Sequence, residues 1–69
     1  MIINYNQTYS LKDIEIFAND NNLCLEEYGK FIIGQGFLCV SDDKRTYSFI
    51  FIGYNEAAGA YYKCIYCDK

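Results

Sequence analysis

The stretch Thr46–Tyr54, reading TYSFIFIGY, constrains the fold more than any other part of the chain. Aromatic and β-branched residues dominate it, so it reads as a strand, the longest in the sequence. Side chains alternate along a strand, which puts Tyr47, Phe49 and Phe51 on one face and Ile50, Ile52 and Tyr54 on the other. Both faces are apolar, so the sheet holding this strand needs cover on both sides. The chain has 69 residues, enough for a single domain spanning 1–69. A domain of this size buries only about 60% of the surface its unfolded chain exposes. The second face is therefore expected to be closed by sheet curling, by a second copy or by a partner.

One helix is legible. Ser10 and Asp13 stand at capping-box spacing, with Asp in place of the usual Glu. Leu11, Ile14, Phe17 and Ala18 follow on one face about 120° wide. Asn21 and Asn22 are suitable stop residues because Asn tolerates a left-handed backbone. The predicted helix covers about 11–20. Its length, about 15 Å at 1.5 Å per residue, suffices for one face of a small sheet. Ile16 falls among Lys12, Asp13 and Asp20 on the polar side, where a second element is expected to cover it; the alternative is a contact residue for a partner.

The remaining sequence reads as short strands broken by glycine and polar clusters. Leu23–Glu27 alternates, Gly29-Lys30 turns the chain, and Phe31-Ile32-Ile33 reads as a short strand. Gly34-Gln35-Gly36 reads as a bulge or tight turn. Phe37–Val40 is a strand, Ser41–Arg45 a hairpin loop, Asn55–Gly59 a loop, and Ala60–Cys67 a final strand. Residues 2–5 could add another. The predicted fold class is α+β: one N-terminal helix packed on an antiparallel sheet of about four strands.

Composition narrows the function. The net charge is -3, and the only adjacent cations, Lys44 and Arg45, directly follow Asp42 and Asp43. A nucleic-acid binder needs a basic patch, so no direct nucleic-acid binding is expected. No apolar run approaches the roughly 20 residues that span a bilayer, so no membrane association is expected and the protein is expected to be cytoplasmic. There is no histidine, which removes the usual general base and the commonest metal ligand. The carboxylate pairs Glu26-Glu27 and Asp42-Asp43 are sequence neighbours, which point to opposite faces on a strand and make no acid/base dyad. The chain is read as no enzyme, with no cofactor.

Four cysteines remain. Cys64-Ile65-Tyr66-Cys67 has the spacing of half a zinc site, and Cys24 and Cys39 could complete it. Against this, Ile65 and Tyr66 favour a strand, and an offset of three on a flat strand puts the two sulfurs on opposite faces. The leading expectation is four unpaired, largely buried thiols and no metal. A zinc-stabilised structural module using Cys24, Cys39, Cys64 and Cys67 is the alternative.

Eight Tyr and five Phe without a Trp make up the aromatic content. Tyrosine suits interfaces because its ring is apolar and its hydroxyl can stay wet. Tyr61, Tyr62 and Tyr66 are the expected anchors for a protein partner, rimmed by Glu26, Glu27, Asp42, Asp43 and Glu56. In its size, its acidic balance, its Ser10–Asn22 helix beside a compact sheet and its lack of catalytic residues, the chain resembles small phage and mobile-element inhibitors of the anti-CRISPR type. That resemblance implies a non-enzymatic module that blocks a surface of a host defence protein. A homodimer, formed through the apolar sheet face or by edge pairing of residues 60–67, is a further expectation, as is a homodimeric accessory role.

Overall fold

The computed structural model describes residues 1–68. Its elements are β1 (Thr8–Ser10), α1 (Leu11–Asp20), β2 (Cys24–Gly29), β3 (Gly36–Ser41), β4 (Thr46–Asn55) and β5 (Gly59–Asp68). The strands form one antiparallel sheet in the order β1-β5-β4-β3-β2. Strands β2 to β5 are a meander, each joined to the next by a short connection. Strand β1 closes the other side of β5, and α1 returns the chain across one face to β2. The fold is α+β as expected, with five strands.

The helix begins and ends where its sequence directs. Ser10, extended at φ -73° and ψ 156°, accepts a hydrogen bond from the Asp13 N–H at 3.1 Å. This satisfies one of the four N–H groups that a helix start leaves free. At the other end Asn22 takes the left-handed conformation, φ +55°. The Leu23 N–H then reaches the Ala18 carbonyl (2.8 Å) and the Asn22 N–H the Asn19 carbonyl (3.3 Å), the bond pair of a Schellman close. The close also drops Leu23 into the core. Arg45 completes the cap from the β3–β4 turn: its guanidinium donates to the Asn21 carbonyl (3.1 Å) and pairs with Asp42 (3.2 Å). A cation beside the last carbonyls complements the helix dipole, which no residue of the last turn does.

The helix buries Ile14, Phe17 and Ala18 against one face of the sheet. Pairing register assigns that face in three rows: Tyr9, Tyr62 and Phe51; Cys64, Phe49, Leu38 and Glu27; Cys67, Tyr47, Val40 and Leu25. Ile3 adds to the core from the N-terminal segment. An edge-to-face ring pair, Phe17 on Tyr47 at 5.1 Å, joins helix to sheet, and a second, Phe51 on Tyr62 at 5.6 Å, links β4 to β5 within the sheet. Ile16 is 44% exposed, so no second element covers it among the described residues.

Several expectations need correction. Phe31-Ile32-Ile33 is not a strand. Gly29 faces Gly36, and the Lys30 N–H bonds to the Gln35 carbonyl, so residues 30–35 form the loop of the β2–β3 hairpin. The β-forming character of three residues yields to the glycines on either side. A β-carbon at Gly29 would overlap the Gln35 carbonyl oxygen, and one at Gly36 the Lys30 carbonyl oxygen. Residues 2–5 form no strand, and the added strand lies at Thr8–Ser10. Two bulges break the alternation. The extra residue on β4 is Ile52, which places Tyr54 opposite Ala60 on the helix side of the sheet. The extra residue on β5 is Ile65, which turns both Cys64 and Cys67 toward the core.

Candidate interaction surface

The face of the sheet opposite the helix has no element packed on it among the described residues. Register assigns its rows: Ser10, Tyr61 and Gly53; Thr8, Lys63, Ile50, Phe37 and Tyr28; Tyr66, Ser48, Cys39 and Glu26; Asp68, Thr46, Ser41 and Cys24. Rings stand at both sides of a middle made of Ile50, Ser48 and Lys63. Phe37, Tyr28 and Tyr66 are 37%, 54% and 50% exposed, while Tyr61, Ile50 and Lys63 are half-buried.

The expected anchors divide. Tyr61 and Tyr66 lie on this open face. Tyr62 does not: it is 2% exposed, packs on Phe51, and belongs to the core. Its neighbours in sequence face outward, so strand alternation makes Tyr62 an inward residue. Burial also pushes its hydroxyl pKa above the ordinary tyrosine value. Phe37, Ile50 and Tyr28 also stand on the open face and were missed as contact residues. The alternation of Phe37–Val40 carried the signal, because an inward Leu38 and Val40 oblige Phe37 to point out.

The expected acidic rim does not form a ring. Glu26 and Glu27 sit on β2 but on opposite faces, and Glu26 accepts a hydrogen bond from the Tyr28 hydroxyl at 3.0 Å. That bond and the carboxylate charge raise the Tyr28 pKa. Asp42 is committed to the β3–β4 turn, where it accepts from the N–H groups of Lys44 (2.8 Å) and Arg45 (2.7 Å). These two bonds, with the guanidinium beside them, hold its carboxyl below the ordinary value. Asp43 is exposed in the same turn, and Glu56 lies at the far end of the sheet in the β4–β5 turn.

The cysteines are not largely buried as expected: only Cys64 is buried, Cys39 and Cys67 are half-buried and Cys24 is exposed, because the four split between the two faces of the sheet and its edge strand. Cys24 and Cys39 are on the open face, whereas Cys64 and Cys67 face the helix side. One zinc ion needs all four sulfurs within about 2.3 Å of itself, and a sheet lies between the pairs. Among the described residues no three His, Cys, Asp or Glu side chains gather as a metal site. The Cys64 thiol is fully buried and donates to the Tyr66 carbonyl at 3.3 Å, and burial pushes its pKa up. This opposes the thiolate form that cysteine chemistry needs. An open cleft of about 520 Å³ lies between Leu11, Phe31, Phe51, Tyr54, Gly59 and Ala60. Apart from the Tyr54 hydroxyl its side chains are apolar, and they supply no carboxylate, amine or thiol. Among the described residues no helix is long and apolar enough to cross a membrane. Comparison with protein-family models, with curated proteins and with solved structures gave no match.

Proposed function

We propose that this chain is a non-enzymatic protein-binding module, an inhibitor of the anti-CRISPR type that covers a surface of a host defence protein. The observation supporting the reading is the open sheet face, where Tyr61, Tyr66, Phe37 and Tyr28 stand around Ile50 and no element among the described residues covers them. Aromatic rings on a pre-formed sheet lose little conformational freedom on binding, and interfaces draw most of their affinity from a few such anchors. Phe37 and Tyr66 carry the contact, and Ser48, Lys63 and Glu26 fix its orientation through hydrogen bonds and charge.

The test is retention of host proteins by the immobilised chain, compared with Tyr66→Ala and Phe37→Ser. A variant in the β2–β3 loop, Ile33→Ser at an exposed residue outside the sheet, serves as control. A true partner is held by the parent and the control and weakened about thirtyfold by loss of either anchor, which corresponds to about 2 kcal/mol. It also persists at high salt, since exposed charges are screened there and buried rings are not. A partner lost in salt but held by both anchor variants would refute the open-face reading and replace it with charge mimicry.

A further inference from the structure

The sheet has one long free edge, and its backbone phase can be assigned. Opposed residues in an antiparallel pair alternate between hydrogen-bonded and non-hydrogen-bonded. The bond from the Lys30 N–H to the Gln35 carbonyl (3.2 Å) lies on the register that pairs Gly29 with Gly36. Cys24, Glu26 and Tyr28 therefore bond to β3. The bond from the Asp42 N–H to the Arg45 carbonyl (2.9 Å) sets the same phase from the β4 side. The N–H and C=O groups of Leu25, Glu27 and Gly29 consequently point outward, a ladder with no strand beside it among the described residues. The other edge of the sheet is different: β1 has only three residues and pairs β5 at Tyr61, Tyr62 and Lys63.

A second copy is a poor occupant for this edge. Two β2 strands meeting about a two-fold axis keep each sheet face continuous, so residues of one face must oppose. Centring the pair on Glu26 or on Glu27 sets that carboxylate against its own copy, and centring it on Leu25 or Tyr28 leaves only three residues of each strand paired. Like charges directly opposed destabilise a sheet, and charges on an edge commonly prevent such self-pairing. Neither glutamate has an ion pair among the described residues, where Arg45 with Asp42 is the pair that forms.

We propose that the β2 edge takes an extended segment of a partner protein as a sixth strand, and that the segment carries two consecutive basic residues. Neighbours on a strand project to opposite faces. One basic side chain therefore meets Glu26 on the open face and the next meets Glu27 on the helix face. The outward groups of Leu25, Glu27 and Gly29 supply the affinity, and the two carboxylates set the sequence. This rests on the reading of the chain as a protein-binding module, and it adds to the open face, which already includes Glu26 and Tyr28, a backbone contact along the β2 edge.

The probe is a short synthetic peptide of alternating Val and Thr with a central Lys-Arg pair. Its counterpart carries Glu-Glu at the same place. Amide exchange on the intact chain is the readout. The Lys-Arg peptide is expected to slow exchange at Leu25, Glu27 and Gly29 while Glu26 and Tyr28 change little. It should bind about tenfold more tightly than the Glu-Glu peptide, the size of two cross-strand charge pairs turned from attractive to repulsive. The double substitution Glu26→Lys with Glu27→Lys, on exposed positions and checked for fold by circular dichroism, should reverse that preference. Equal binding of the two peptides, no binding at millimolar concentration, protection elsewhere, or protection of these amides by self-association would each overturn the proposal. A natural partner held by Tyr66 and Phe37 with the β2 amides still exchanging would overturn it too, and would leave the protein-binding reading standing.

Discussion

Ile14 and Ile16 lie two residues apart on the same helix, and the structure predicts opposite outcomes for the same substitution. Ile14 is 0% exposed and sits where α1 meets the sheet, whereas Ile16 is 44% exposed. Replacing Ile14 with Ala removes buried carbons and leaves a cavity, at a cost of about 2–5 kcal/mol; Ile14→Val removes one methyl and costs about 0.5–1.5 kcal/mol. A chain of this length has a total stability on the order of 3.5–10 kcal/mol, at roughly 0.05–0.15 kcal/mol per residue. Ile14→Ala therefore consumes a large share of it, and Ile14→Val lowers the melting temperature by about 2–12 °C, at roughly 4–8 °C per kcal/mol. Ile16→Ala stays within about 0.5 kcal/mol, because lost partial burial is offset by the better helix propensity of Ala. With no Trp in the chain, urea unfolding is followed by far-ultraviolet circular dichroism. The slope of free energy against urea should be unchanged in all three variants. If Ile16→Ala costs as much as Ile14→Ala, the helix is rotated on the sheet or a second surface covers Ile16, and the packing described above is wrong.

Two further outcomes follow from the turns and bulges. Alkylation followed by mass spectrometry should modify Cys24 first and Cys64 last, with Cys64 slower by about a hundredfold or more because it reacts only through opening of the core. Cys67 alkylated as fast as Cys24 while Cys64 stays protected would remove the Ile65 bulge. Asp42 has a folded pKa held below its ordinary value, chiefly by the Lys44 and Arg45 N–H groups. Its stabilising effect is therefore complete above the unfolded carboxylate value and is lost as pH falls through the lower folded value. Amide protection at Lys44 and Arg45 should persist at about pH 4 and decline only in stronger acid, while Asp42→Asn should weaken it and flatten that pH response.

The helix was legible because both of its ends are local chemistry. Ser10 and Asp13 are three residues apart, and Asn21 and Asn22 donate to carbonyls four and three residues back. The meander was legible because β3, β4 and β5 each alternate over several residues. The bulges were not, since an extra residue is a property of two strands in register, and neither Ile52 nor Ile65 differs in kind from its neighbours. Cys64 and Cys67 were therefore assigned opposite faces. Strand β1 escaped because three residues are too few to show a period. For the same reason Phe31-Ile32-Ile33 was taken for a strand, although its position between Gly29 and Gly36 makes it a loop. Of the candidate contact surface, Tyr61 and Tyr66 were legible from composition and spacing. Tyr62 was misassigned because adjacent tyrosines look alike until alternation separates them.

The pairing of β1 with β5 has a consequence for the order of folding. Strands β2 to β5 join by local hairpins, whose closure costs little entropy, but Thr8 meets Lys63 across nearly the whole length of the sequence. Residues 8–10 have no ladder to join until residues 61–63 have been synthesised and have left the ribosome. The helix that follows Ser10 must likewise wait for β5 before it has a floor under Ile14 and Phe17. Strand β1 and the helix should therefore dock late, with the meander as the scaffold, and during synthesis their apolar side chains remain available to chaperones until the last strand emerges.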